Sequence, residues 1–259
     1  MRLHDKVAIV TGGSAGIGKA IAGEFLKEGA KVVICGRRDA KVRETVKELS
    51  PLGPISGISA DVGLLTDVKK LMEFTVTTYG GLDILVNNAA IIHQANIVDM
   101  EVEDWDRVLR NNLTSCFLCC REGARQMIAQ KRGGRIVNLS SIHAVLSEPQ
   151  AGAYTATKGG IEAFSRTLAT ELAPHKITVN CVEPGATFSE LTVPMFTPTV
   201  TTALFKRIPL KEIAQPEWIG RGVVFLASDD GRYMTGSVLV MDGGYTMDGS
   251  LPDAAYWTE

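Results

Sequence analysis

The chain has 259 residues, of which 45% are hydrophobic and 22% charged, with a formal net charge of −2. Those proportions exclude a disordered or fibrous chain and describe one large globular α/β unit. The near-neutral charge leaves no electrostatic footprint for nucleic acid or an anionic membrane surface, and no apolar run approaches membrane-spanning length. No hydrophobic leader is expected to act as a signal peptide, so a cytoplasmic protein with a small-molecule partner is expected.

Lys6–Thr11 reads as a buried strand, Ile17–Glu28 as a helix, Lys31–Cys35 as a strand and Ala40–Leu49 as a helix. Ile55–Ala60 follows as a strand, Leu64–Thr78 as a helix and Leu82–Asn87 as a strand. Two long helical stretches, Val102–Lys131 and Tyr154–Ala173, flank the strand Gly134–Ser140, and Ile177–Cys181 and Ser237–Met241 complete the strands. Apolar strands without alternation, separated by helices, predict a Rossmann-type doubly wound parallel sheet of about seven strands with helices on both faces. Ligands of such sheets bind at the carboxyl ends of the strands.

Glu183–Gln215 breaks the alternation. It is rich in proline and threonine yet carries Phe188, Leu191, Met195, Phe196, Leu204 and Phe205, which argue against disorder. A mobile lid around residues 186–215, carrying part of a substrate pocket, is expected on a single domain spanning 1–259.

Thr11-Gly12-Gly13-Ser14-Ala15-Gly16-Ile17-Gly18 sits between the first strand and the first helix. Glycines there permit a tight turn and bring backbone amides and a helix N-terminus to a pyrophosphate. Tyr154 and Lys158 lie four apart on a helix, hence on one face, and an ammonium beside a phenol favours the phenolate. Ser141, thirteen residues before Tyr154, adds a hydroxyl that can bridge to a carbonyl or alcohol. Five cysteines include the crowded Cys116, Cys119 and Cys120. With no second Cys or His pair at zinc spacing, they read as small apolar core residues, and no metal site is expected. Two glycosylation-like triplets, beginning at Asn112 and Asn138, read as coincidental.

In order and spacing, Thr11–Gly18, Asn87-Asn88-Ala89-Ala90, Asn112, Ser141, Tyr154-x-x-x-Lys158 and Pro184-Gly185 resemble the short-chain dehydrogenase/reductase family over essentially the whole chain. Ala90 departs from the glycine common there. The resemblance implies that Tyr154 is the general acid or base and that Lys158 favours its ionised form and bonds the nicotinamide ribose. Ser141 would orient the substrate oxygen, and Asn112 would hold a water that links Lys158 to solvent. It also implies cofactor contacts at Gly12, Ser14, Ala15, Gly16, Ile17 and Gly18, at Asp61 and Val62 beside the adenine, and at Asn88 and Ala89 beside the ribose. Pro184, Gly185, Thr187 and Ser189 would meet the carboxamide end. For Asp61 a local capping role stands equally open.

Cofactor choice turns on Gly36-Arg37-Arg38, at the end of the second strand. An acidic residue at Gly36 would bond the 2′-hydroxyl of NAD, whereas two arginines favour a 2′-phosphate. Ala15, where many NADP-dependent relatives carry a basic residue, points the other way. NADP(H) is therefore favoured, with NAD(H) as the alternative.

Gln94, His143 and Gln150 are the remaining substrate-contact candidates beside Ser141 and Tyr154; a structural role for His143 stands open, and His93 and His175 have less claim. A ketone or secondary alcohol suits the apolar lid best. Ser140-Ser141-Ile142-His143 and Asp242-Gly243-Gly244 are also similar to the glucose dehydrogenase branch, so sugar or polyol oxidation is the runner-up. A 3-oxoacyl substrate on a carrier would want a basic docking patch, which is not evident. An idle nucleotide-binding scaffold is the reading from another class, and the intact Ser141, Tyr154 and Lys158 oppose it. The resemblance further implies a homotetramer built on the two long helices, with Phe117 and the crowded cysteines in its interface. The tail Leu251–Glu259 is expected to dock on a neighbouring subunit.

Overall fold

A computed structural model of the chain describes residues 1–190 and 192–249. Seven strands, β1 (Val7–Thr11), β2 (Lys31–Gly36), β3 (Ile55–Ser59), β4 (Ile84–Asn87), β5 (Gly134–Leu139), β6 (Ile177–Pro184) and β7 (Val238–Met241), form one sheet. Their order is β3-β2-β1-β4-β5-β6-β7, and every pairing is parallel. The chain therefore builds outward from β1 in one direction, returns, and builds outward from β4 in the other. That reversal leaves a crevice at the carboxyl ends of β1 and β4.

Successive strand residues point to opposite faces, and both faces are covered. Ile9, Leu85, Ile136 and Val179 pack beneath α3 (Leu65–Tyr79), α5 (Ser115–Gln130) and α6 (Gly152–Leu172). Val10, Val86, Val137 and Val182 pack beneath α1 (Gly16–Lys27), α2 (Asp39–Leu49) and α8 (Pro216–Ala227). The unbroken apolar strands read from the sequence are the signature of this double burial.

Three segments differ from expectation. Val102–Lys131 is not one helix: α4 (Val102–Leu109) and α5 are joined by a π-helical turn, Arg110–Thr114. Its widened geometry accompanies a fully bonded Asn112, whose Oδ1 accepts from Ile91 N (2.8 Å) while Nδ2 donates to Ile91 O (2.9 Å). Glu183–Gln215 is not one loop either. β6 runs through Pro184, held by pairing to β7, and α7 (Pro198–Arg207) starts from Thr197, whose hydroxyl accepts from Val200 N. The helix α8, unassigned from the sequence, opens on Pro216, whose fixed φ suits a first turn. Leu191 and the tail 251–259 lie outside the described residues.

The five cysteines are free and buried. Burial pushes the Cys35 and Cys181 thiols up to about 12, so neither is a nucleophile near neutrality. Cys116, Cys119 and Cys120 belong to the core under the sheet of this chain, not to an outer face. Only Phe117 of that stretch is exposed, its ring edge-on to Phe164 at 6.2 Å. Asn112 and Asn138, which head the glycosylation-like triplets, are both buried.

A buried amide chain fixes α6 to the sheet. Asn87 Nδ2 donates to Asn138 Oδ1 (2.8 Å), Asn138 Nδ2 to Ser165 Oγ (2.8 Å), and Ser165 Oγ to Ile161 O (2.7 Å). Replacing Asn138 by alanine strips partners from two buried polar groups. The expected loss is about 1–3 kcal/mol in urea unfolding, with an unchanged m-value.

Candidate active site

A cavity of about 810 Å³ opens at the β1–β4 crevice. One wall is the turn after β1, where Gly12 and Gly16 take φ of 63° and 50°. A Cβ on Gly12 would stand 2.9 Å from Asn88 Nδ2, and one on Gly16 3.1 Å from Ser189 Cβ. Helix α1 begins at Gly16, its N-cap Ala15 offers no side-chain cap, and its first turn holds no acid. Its free amides and positive dipole end are thus left for an external anion, and a dinucleotide pyrophosphate fits that cradle. Ser14, Ala15 and Ile17 line the cavity with these glycines, whereas Gly18 is turned beneath Asn88.

Thr11 joins this turn to β4. Its hydroxyl accepts from Asn88 N (3.0 Å) and Ala89 N (3.1 Å) and lies 3.4 Å from Val86 O, to which it donates. Asn88 Nδ2 returns a bond to Thr11 O (3.0 Å). Thr11 has no place among the individual site residues read from the sequence, although its position at the head of the glycine turn was the available signal.

Gly36, Arg37 and Arg38 form the next stretch of wall. Both arginines are exposed, and among the described residues neither has a carboxylate partner. Asp61 and Val62 line the same end. Asp61 Oδ1 accepts from Gly63 N (2.9 Å), so this carboxylate both closes its own turn and faces the cavity.

At the other end, Ser141 follows β5, and Tyr154 and Lys158 project from α6; all three line the cavity. Lys158 is 3% exposed. Its Nζ donates to Leu139 O (2.7 Å) and lies 5.4 Å from the centroid of the Tyr154 ring. Ser141 Oγ accepts from His143 N (3.2 Å). Pro184, Gly185, Thr187 and Ser189 line the cavity where β6 gives way to the lid. Asn112 does not line it: Nδ2 also donates to Thr157 Oγ1 (3.2 Å), so its side chain is committed to bracing Ile91 against α6. Gln150 is also outside, an exposed turn residue at φ 67° whose carbonyl accepts from Ala95 N.

Gln94 and His143 do border the cavity. His143 Nδ1 is buried without a partner, and Nε2 stands 3.9 Å from Glu148 Oε2. Glu148, which the sequence reading missed, lines the cavity too. The facing wall is apolar: Met195, Phe196, Val200, Leu204 and Ile208. Phe188 and Phe205 instead border a separate hollow with Trp218. The cavity thus joins an anion-binding end to a hydroxyl-bearing end under an apolar cover, which suits a dinucleotide beside a mostly apolar oxygenated substrate.

A family model described as Enoyl-(Acyl carrier protein) reductase matches residues 12–246. The chain is 38% identical over 245 residues to the 3-oxoacyl-(acyl-carrier-protein) reductase FabG of Thermotoga maritima, covering 94% of this chain and 99% of that protein. It is 36% identical over 248 residues to 3beta-hydroxysteroid dehydrogenase 1 of Eggerthella lenta, covering 95% of each. A short-chain type dehydrogenase/reductase from Mycobacterium marinum superposes with a TM-score of 0.91 at 33% identity, over 95% of this chain and 97% of that one.

Gly16→Ala adds a methyl at a left-handed φ and against Ser189, which costs about 1–2 kcal/mol at the cradle. Dinucleotide affinity, read by fluorescence titration, is expected to fall about tenfold.

Proposed function

The chain belongs to the short-chain dehydrogenase/reductase family, and on that premise we propose an NADP(H)-preferring carbonyl reductase that runs reversibly as a secondary-alcohol dehydrogenase. The observation that carries the reading is one cavity shared by the uncapped end of α1 and by Ser141, Tyr154 and Lys158. When bound, the nicotinamide supplies the hydride in reduction and accepts it in oxidation. Negative charge then develops on the substrate oxygen, and Tyr154 gives that oxygen a proton while Ser141 donates a second hydrogen bond. Lys158, buried beside the ring, stabilises the charge left on the phenol. The family resemblance gives Asn112 the water that would link Lys158 to solvent; its side chain is bonded to Ile91 and Thr157, and its carbonyl accepts from Ser115 Oγ (3.2 Å).

Arg37 and Arg38 beside Gly36, without a carboxylate partner among the described residues, support the 2′-phosphate cofactor, for which they would form charge-assisted bonds. Asp61, Val62, Asn88 and Ala89 would line the adenosine, and Pro184, Gly185, Thr187 and Ser189 the carboxamide end. The apolar lid wall supports a largely apolar ketone, with Gln94, His143 and Glu148 holding a second polar group. The names of the Thermotoga and Eggerthella relatives point to 3-oxoacyl and 3-hydroxysteroid chemistry, both ketone–alcohol pairs. The Glu148 carboxylate at the cavity opposes an anionic carrier, which favours the free ketone; Glu190 is paired with Lys41 (3.5 Å). Sugar or polyol oxidation stays second, because one wall has no polar partners to offer.

The remaining proposals are a single domain with residues 186–215 as its lid, and a homotetramer using α5 and α6. The exposed Phe117 supports the latter. Five free cysteines fit a reducing, cytoplasmic compartment. Among the described residues no helix is long and apolar enough to cross a membrane.

A ketone panel with NADPH and NADH tests the reading. Tyr154→Phe should lower turnover by about 10²–10⁴-fold with NADPH affinity nearly unchanged. Arg37→Ala with Arg38→Ala should raise KM for NADPH about tenfold or more and leave NADH unaffected. Turnover persisting in Tyr154→Phe contradicts the mechanism.

A further inference from the structure

Asp242-Gly243-Gly244, directly after β7, takes no part in the chemistry assigned to Tyr154, yet its geometry is tightly specified. Asp242 Oδ1 accepts from Gly244 N (2.8 Å), and Oδ2 accepts from Thr246 N (2.7 Å) and Thr246 Oγ1 (2.6 Å). Gly243 and Gly244 take φ of 67° and 91°, a conformation that favours glycine. The carboxylate thus closes a turn over residues 242–246.

Two parts of the site pack on that turn. Pro184-Gly185 is the first: Gly185 N donates to Met241 O (3.0 Å), and a Cβ on Gly185 would stand 2.7 Å from Asp242 Cα. The segment leaving α7 is the second. Leu210 N donates to Gly243 O (3.2 Å). A Cβ on Gly243 would stand 2.8 Å from Ile208 Cγ2, and one on Gly244 2.9 Å from Pro209 Cγ. Only bare glycine backbone lets the two segments approach this closely.

Tyr245 is the side chain that this turn brings to the cavity, whose wall it shares with Leu204 and Ile208. Arg207, in the last turn of α7, places its guanidinium 4.9 Å from the centroid of the Tyr245 ring, within cation–π range. The ring is therefore held by α7 and carried by a turn that shifts only if the Asp242 bonds break. We propose that Tyr245 is a specificity-determining residue, a fixed aromatic wall that anchors the closing end of α7 and limits the bulk of the ketone admitted beside Tyr154. A compact ketone passes this wall, and a bulky one meets it before its carbonyl reaches Tyr154. The limit on ketone size rests on the reductase reading; the anchoring of α7 does not.

Tyr245→Ala removes wall and anchor together, Arg207→Met releases the anchor alone, and Tyr245→Phe keeps the ring. Each is compared with wild type in kcat/KM for cyclohexanone and benzophenone, in NADPH dissociation constant, and in the rate of chymotryptic cleavage after Phe196 and Phe205. In Tyr245→Ala the preference for cyclohexanone over benzophenone is expected to fall about tenfold or more, with NADPH affinity within about twofold of wild type. Cleavage after Phe196 and Phe205 is expected to quicken about twofold to fivefold in Tyr245→Ala and in Arg207→Met. Tyr245→Phe is expected to restore both the preference and the slow cleavage. An unchanged size preference in Tyr245→Ala overturns the specificity role, and cleavage rates that coincide with wild type overturn the anchor. If Tyr245→Ala does not fold, Tyr245→Leu serves for the size preference, while Arg207→Met still decides the anchor. A wild type that reduces no ketone sinks the reductase reading, and cleavage still decides the anchor.

Discussion

An ammonium buried as deeply as that of Lys158 needs a permanent acceptor, and the Leu139 carbonyl at the end of β5 is that acceptor. The requirement fixes how α6 meets the sheet. Tyr154, Lys158, Glu162 and Ser165 recur at spacings of four, four and three, so one face of α6 carries a polar stripe into an apolar core. Each member is matched to the sheet side. Lys158 meets Leu139, Glu162 meets Ser140 and Ser165 meets Asn138, three successive anchors along β5 and its end. Tyr154, at the head of the stripe, is the member left facing the cavity.

The rest of the cavity follows from the strand order. Reversal between β1 and β4 opens the crevice, and Thr11 holds its two lips together through the amides of Asn88 and Ala89. The uncapped start of α1 and Arg37 and Arg38, which have no carboxylate partner among the described residues, gather positive potential at one end. At the other end α7 contributes the apolar side chains of Val200 and Leu204 to the cavity wall.

Features set by local chemistry were legible in the sequence. The glycine turn had to follow a strand and precede a helix, and Tyr154 and Lys158 had to share a helix face; both hold. Features set by tertiary contact were not. The π-helical turn at Arg110–Thr114 goes with the backbone of Ile91, some twenty residues away in sequence, against which Asn112 is bonded. Cys116, Cys119 and Cys120 read as the buried stripe of a helix, as they are, but periodicity names such a face without saying what buries it; here it is the sheet. Gln150 looked suited to the substrate by nearness to Tyr154, yet its turn directs it elsewhere.

The central claim is that the buried ammonium of Lys158 serves the chemistry of Tyr154 and not only the packing of α6. Lys158→Met is the direct test, since an unbranched apolar side chain of similar length fills the same buried space. With melting temperature measured alongside, the account predicts a folded protein whose ketone reduction falls by about 10²–10⁴-fold. A folded Lys158→Met enzyme that turns over ketone within about threefold of wild type would contradict it, because general acid–base assistance is worth far more than that.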